Sequence, residues 1–358
     1  MRKVLLGSLL LVCAFTGSAF AAQGGVSVHL DASAKAADIG SGKLVFTMVN
    51  DSATSVHVLR WQTPFDGVTS DLFSVARDGA AVDYVGPMYK RAAPQAKDYI
   101  ELQPGAQRSV EVDLSAYYDM KMGGQYTITY ARDAQSALLE AGQAARAGVA
   151  ATTAIETDAT TLWVDGGPDA LDASDGGHTL QGGGSVLAAT NSFVSCSNTR
   201  KTQLATARNS AVTYATNSKS YLDAGTQGSR YTWWFGTYNS SRYSTVRTHF
   251  TNLKSALSTQ PYTFDCSCSD TGTYAYVYPT QPYRVYLCGA FWAAPNTGTD
   301  SRAGTLVHES SHFNVVASTD DWAYGQTAAH NLALSNPAHA IDNADSHEYF
   351  AENNPFRN

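Results

Sequence analysis

His308, Glu309 and His312 stand in the pattern H-E-x-x-H, written out as His308-Glu309-Ser310-Ser311-His312. On a helix, positions i and i+4 lie on one face, one turn apart. Two imidazoles so placed can hold one zinc ion at Zn–N distances of about 2.0–2.1 Å. The carboxylate beside the first imidazole then reaches the attacking water and takes its proton. The flanks permit that helix. Leu306, Val307, Phe313 and Val316 supply apolar positions, and Asp300 or Ser301 is placed to cap the start. Five residues of this kind also occur by chance on ordinary helices, so the reading needs a further ligand.

A catalytic zinc takes three protein ligands and keeps one position open. The next acids are Asp320 and Asp321, within Ser318-Thr319-Asp320-Asp321-Trp322-Ala323-Tyr324-Gly325. Alone they read as a solvated acidic turn. Behind H-E-x-x-H they resemble the deuterolysin family, the aspzincins, in which H-E-x-x-H is followed by G-T-x-D-x-x-Y-G. Thr319, Asp321, Tyr324 and Gly325 match, while Ser318 stands where the family has Gly. The resemblance implies one zinc per catalytic domain, held by His308, His312 and Asp321. It makes Glu309 the general base and Tyr324 the donor that steadies the oxyanion.

A third segment, Asn343-Ala344-Asp345-Ser346-His347-Glu348-Tyr349-Phe350, resembles the peptidyl-Lys branch of that family. There an Asp and a Glu three residues apart line the pocket for the residue after the scissile bond, which places Asp345 and Glu348 in that role. Positions i and i+3 share a helical face, so the two carboxylates converge on one cation. A buried ammonium needs its charge and donors matched. The family has Tyr where His347 stands, which implies a changed pocket rim. On pattern alone, a solvated acidic helix end fits the segment as well. His330, His339 and His347 read as ordinary polar residues, since three ligands are already assigned.

The elements around these residues suggest an exported precursor. Arg2 and Lys3, the apolar run 4–15 and Ala19-Phe20-Ala21 read as a cleaved leader over 1–21. Cys13 lies in that run. Cys196, Cys266, Cys268 and Cys288 remain, an even count that reads as a disulfide framework in a secreted chain. Four cysteines allow three pairings; the family resemblance implies Cys196–Cys266 and Cys268–Cys288. A Cys-x-Cys zinc site lacks other ligands nearby. Residues 165–190 are rich in Gly, Asp and Ser and read as a protease-accessible linker.

Before the linker, residues 22–164 alternate apolar and polar positions over 26–30, 43–49, 55–59, 99–102, 109–112 and 125–130. This predicts a small antiparallel, sandwich-like all-β domain. Trp61-Gln62-Thr63-Pro64-Phe65-Asp66-Gly67 and Gly86-Pro87-Met88-Tyr89-Lys90-Arg91 resemble the pro-region of bacterial aspzincins, although a carbohydrate- or surface-binding sandwich has the same periodicity. After the linker, 191–358 predicts helices over 199–222 and 244–257, strands near 262–266, 273–278 and 284–291, the H-E-x-x-H helix, and a last helix over 340–351. The fold class is therefore α+β, with a zincin-like catalytic domain behind a β pro-domain.

The net charge of −7 and the absence of a basic stripe argue against nucleic acid. No stretch is long enough for a final membrane anchor. The combined reading is a secreted, monomeric zinc endopeptidase acting on proteins or peptides. It prefers lysine on the leaving-group side and is held inactive by its own propeptide. A non-catalytic secreted β-sandwich adhesin with an incidental H-E-x-x-H, or another zinc hydrolase such as a deamidase on the same scaffold, are the alternatives. Between Lys121 and Lys201 there is no lysine, so a strictly lysine-directed enzyme cannot release itself at the linker.

Overall fold

The computed structural model describes residues 25–133, 137–140, 154–166 and 191–358. The expected leader, Cys13 and nearly all of the expected linker lie outside the described residues. The chain is a mixed α+β protein with strands in its N-terminal part and a helical C-terminal part. Each part has its own apolar core.

The N-terminal part holds β1 (Val26–Ala32), β2 (Lys43–Asn50), β3 (Val56–Leu59), β4 (Phe73–Arg77), β5 (Ala80–Ala81), β6 (Met88–Arg91), β7 (Tyr99–Leu102), β8 (Gln107–Asp113), β9 (Gly124–Asp133), β10 (Leu138–Glu140), β11 (Ala154–Glu156) and β12 (Thr160–Val164). One antiparallel sheet runs β1-β2-β8, a second β10-β3-β7, and in a third β9 pairs with β4, β11 and β12. Alternation puts Leu44, Phe46 and Met48 of β2 inward. Phe46 meets Tyr130 edge-on at 5.1 Å between ring centroids, which ties two of the sheets into one core.

The C-terminal part begins with β13 (Ser192–Val194) and the helices α1 (Asn198–Asp223), α2 (Ser229–Phe235) and α3 (Ser240–Thr259). It continues with β14 (Thr263–Asp265), β15 (Thr273–Val277), β16 (Arg284–Leu287), α4 (Gly289–Ala293), α5 (Arg302–His312), α6 (Gln326–Ser335), α7 (Pro337–Ala340) and α8 (Ala344–Glu352). The strand expected over 284–291 stops at Leu287, because the Cys268–Cys288 disulfide and a hydrogen bond from Gly289 N–H to the Asp270 carbonyl turn the chain into α4. The second disulfide joins Cys196 to Cys266. Both bonds follow the pairing implied by the family resemblance. Among the described residues no helix is long and apolar enough to cross a membrane.

One strand crosses between the two parts. The sheet order is β13-β14-β16-β15-β6, so the outermost strand of the C-terminal sheet comes from the N-terminal part. It runs antiparallel to β15, with Met88 opposite Val277, Tyr89 opposite Tyr276 and Lys90 opposite Ala275.

Candidate metal centre

Helix α5 places the H-E-x-x-H side chains. Ser301 caps it by accepting a hydrogen bond from the Gly304 N–H at 2.9 Å. Asp300, the other candidate cap, has φ +49° and turns elsewhere. His308, Glu309 and His312 are fully buried. Asp321 arrives on the loop after α5 and is also fully buried.

His308 Nε2 and His312 Nε2 are 3.1 Å apart, and Asp321 Oδ1 lies 3.4 Å and 3.6 Å from them. Ligand atoms about 2.05 Å from a tetrahedral ion stand about 3.3 Å from one another, which is the scale of this triangle. Neither Asp321 carboxylate oxygen has a hydrogen-bond partner. Buried carboxylate oxygens without partners are costly, and a cation between the three groups would satisfy them. Burial works to raise the Asp321 pKa, but the two imidazoles outweigh it and hold it below the ordinary value. The residues therefore fit a zinc ion.

The outer contacts orient the imidazoles. His312 Nδ1 is 2.7 Å from the Thr319 carbonyl, so its N–H points there and leaves Nε2 free for a metal. Asp345 Oδ1 lies 2.9 Å from His308 Nδ1, off the line of the ring N–H, and the Gly325 N–H donates to Asp345 Oδ2 at 2.6 Å. Burial pushes the Glu309 carboxyl up to about 8. Opposing that rise are the His308 charge, the Lys90 charge and the Lys90 backbone N–H. The Tyr324 hydroxyl is buried and without a partner, and its ring meets Trp61 edge-on at 5.7 Å.

Asp345 and Glu348 share one face of α8, as their spacing predicts. Between them sits a cation that sequence reasoning did not place there. Lys90 is fully buried, with Nζ 2.5 Å from Glu348 Oε2, 3.4 Å from Asp345 Oδ1 and 3.5 Å from Asp300 Oδ1. Burial works to lower the Lys90 pKa, but the three carboxylates raise it well above the ordinary value, so the ammonium stays charged. Gly304 makes the pocket possible, since a Cβ there would lie 2.1 Å from Glu352 Oε1 and 2.8 Å from Glu348 Oε1. Glu352 in turn accepts from the Ser301 N–H and hydroxyl.

Other expectations resolve differently. His347 does not shape a pocket rim. It packs among Phe235, Phe250 and His249 in the helical core, where burial lowers its pKa to about 3. Asp320 accepts from Arg132 of the N-terminal part at 2.9 Å and is not one of the three grouped ligands. Gln62 Nε2 donates to the Asp321 carbonyl at 3.1 Å. His330 stacks on Trp233 and His339 on Trp322, as polar packing residues.

This combination of a helix-borne His pair, a following Asp and an adjacent acidic pocket defines a candidate metallopeptidase. A family model described as lysine-specific metallo-endopeptidase, Aspzincin_M35, matches residues 220–352. An extracellular protease of Aeromonas hydrophila is 46% identical over 313 residues, covering 87% of this chain and 88% of that one. A peptidyl-Lys metalloendopeptidase of Pleurotus ostreatus is 61% identical over 164 residues, which is 46% of this chain and 97% of that one. A solved zinc peptidase from Grifola frondosa shares 54% identity with a TM-score of 0.45, covering 46% of this chain and all of that one. The chain belongs to the aspzincin family of zinc metalloendopeptidases.

Proposed function

We propose that this chain is the latent precursor of a secreted zinc endopeptidase that cuts proteins before lysine. The observation that carries this reading is Lys90, a lysine ammonium seated on Asp345 and Glu348 beside the candidate metal ligands. A pocket that matches one buried lysine so fully is suited to the lysine of a substrate.

In this reading His308, His312 and Asp321 hold zinc, which supplies Lewis-acid activation of the water and the scissile carbonyl. Glu309 takes a proton from the attacking water and passes it to the leaving amine. The unpartnered Tyr324 hydroxyl is available to donate to the oxyanion. Asp345 takes the substrate cation and sets its charge beside His308.

The N-terminal β domain, 22–164, acts as the propeptide, following a leader over 1–21. It lays β6 along the sheet edge beside α5 and fills the lysine pocket. The catalytic domain spans 191–358, and maturation falls in the linker 165–190. Because the linker holds no lysine, another protease makes that cut. The similarity of a Pleurotus relative, nearly whole, to only 164 residues of this chain supports a shorter catalytic unit. The enzyme acts as a monomer on proteins or peptides.

The test is to digest a mixed protein sample with the matured enzyme and map the cuts by mass spectrometry. New N-termini should begin with lysine. A survey without lysine enrichment would refute the pocket assignment.

A further inference from the structure

We propose that Tyr276 is the seat for the substrate side chain immediately before the scissile bond, and that it makes the enzyme favour aromatic residues there. The inference rests on the reading above, in which the lysine after the scissile bond enters the Asp345–Glu348 pocket. If Lys90 occupies that pocket, the Tyr89–Lys90 bond stands in the scissile position. Strand β6 then shows how a substrate strand lies on β15.

The register assigns the neighbours. Lys90 lies opposite Ala275, a fully buried small residue. Successive side chains of a strand point to opposite faces, so Tyr89 leaves on the other side of the sheet from Lys90. Directly opposed residues of an antiparallel pair share a face, and Tyr89 is opposite Tyr276. Their ring centroids are 4.9 Å apart at 31°.

Tyr276 is itself held. It stacks on Tyr286 with centroids 4.5 Å apart and planes 2° apart, across the β15–β16 pair. Tyr278 meets both rings edge-on, at 6.1 Å and 5.8 Å. All three tyrosines come from the C-terminal part, so this shelf does not depend on the N-terminal domain for its construction. When β6 leaves, β15 becomes a free edge that an extended peptide can join. The shelf then presents one aromatic face to whatever residue replaces Tyr89. Aromatic pairs gain beyond simple burial, and an aliphatic or acidic side chain does not.

The experiment compares kcat/KM for peptides that share lysine after the bond and carry Tyr, Ala or Asp before it. The naturally processed, zinc-loaded enzyme is used as wild type, Tyr276→Thr and Tyr276→Phe. Threonine keeps strand propensity while removing the ring. Wild type should favour Tyr over Ala by about 3- to 10-fold. Tyr276→Phe should keep that ratio and Tyr276→Thr should bring it close to one, with cutting before lysine retained in all three. A flat wild-type ratio, or a preference that survives in Tyr276→Thr, overturns the proposal. Lysine-directed cutting with no aromatic preference removes the shelf alone. In a matched peptide set with Ala in place of that lysine, equally fast cutting after Tyr keeps the shelf and removes the lysine pocket.

Discussion

Asp321 supplies the single anionic corner of the triangle, while Glu309 lies beside it without contributing a ligand atom. Substitutions should therefore separate binding from turnover. Asp321→Ala should lose the metal, measured by zinc content of the purified protein. Glu309→Gln should keep one zinc yet lose about 10²- to 10⁴-fold in turnover, the usual contribution of a general base. Tyr324→Phe should also keep zinc, with a loss of about 10²- to 10³-fold for one oxyanion donor. A zinc-replete Asp321→Ala, or near-normal turnover in Glu309→Gln, would send the mechanism to other residues. Lys90 admits a second test at this scale. Lys90→Met keeps an unbranched apolar stem but leaves Asp345 and Glu348 facing each other without a cation. Stranding buried charge in this way costs about 3–5 kcal/mol. On the proposed reading the unprocessed wild type is latent, and the unprocessed Lys90→Met chain should melt earlier and show peptidase activity. Unchanged latency would mean that the pocket contact is incidental to inhibition. Spacing made His308, Glu309 and His312 visible in the sequence, while the family resemblance picked Asp321 over Asp320 and singled out Asp345 and Glu348. Asp300, Glu352 and Lys90 stayed hidden because their convergence is tertiary. They are brought together from a loop, a helix end and a strand of the other domain.

Among the elements, long segments with clear periodicity were legible. Helices predicted over 199–222 and 244–257 appear as α1 and α3, each a residue or a few longer at its ends. β1, β2, β3, β7, β8 and β9 also lie where alternation puts them. Strand β6 was not legible as a strand. Its inward-facing positions are Met88 and Lys90, and an alternation argument assigns lysine to solvent. Only the acidic pocket on another domain makes that orientation stable. α6 was missed for a related reason. It is entered from Gly325, the residue before its first turn, where the added Cβ of any other residue would lie 2.6 Å from Ala93 Cβ of the N-terminal part. The turn between α5 and Asp321 offers a prediction of its own. Ser318, which stands where the family has glycine, has φ +52°. A non-glycine residue in this left-handed region costs about 1–2 kcal/mol, while glycine gives back about 0.4–1 kcal/mol through a freer unfolded chain. Ser318→Gly should thus stabilise the protein by about 0.5–1 kcal/mol. The denaturant midpoint should rise at unchanged slope, and a lowered midpoint would show that the serine is favoured for another reason.

Across the whole molecule, the two parts are clasped at several points around the site. Besides the Lys90 pocket, Arg132 pairs with Asp320 at 2.9 Å and lies over the Trp322 ring at 4.6 Å, while Asp133 contacts His339 at 2.6 Å. Asp71 of the N-terminal part lies in this clasp and accepts from the Tyr118 hydroxyl at 2.7 Å. Burial, and then the Asp320 charge across the junction, push the Asp71 carboxyl up to about 7. The sign of the pH effect follows. In the separated state the Asp320 charge no longer acts on this carboxyl and its pKa falls, so the clasped state binds more of a proton than the open state. The association is then strongest at low pH with respect to this group and weakens as pH rises toward 7. A precursor nicked in the linker should hold its propeptide at pH 5 and release it faster at pH 7.5, as read by size-exclusion chromatography. Asp71→Asn keeps an acceptor for Tyr118 and removes the titrating charge. Its propeptide should stay bound at pH 7.5 much as wild type does at pH 5. If the variant and wild type release their propeptides with the same pH dependence, Asp71 does not govern the clasp.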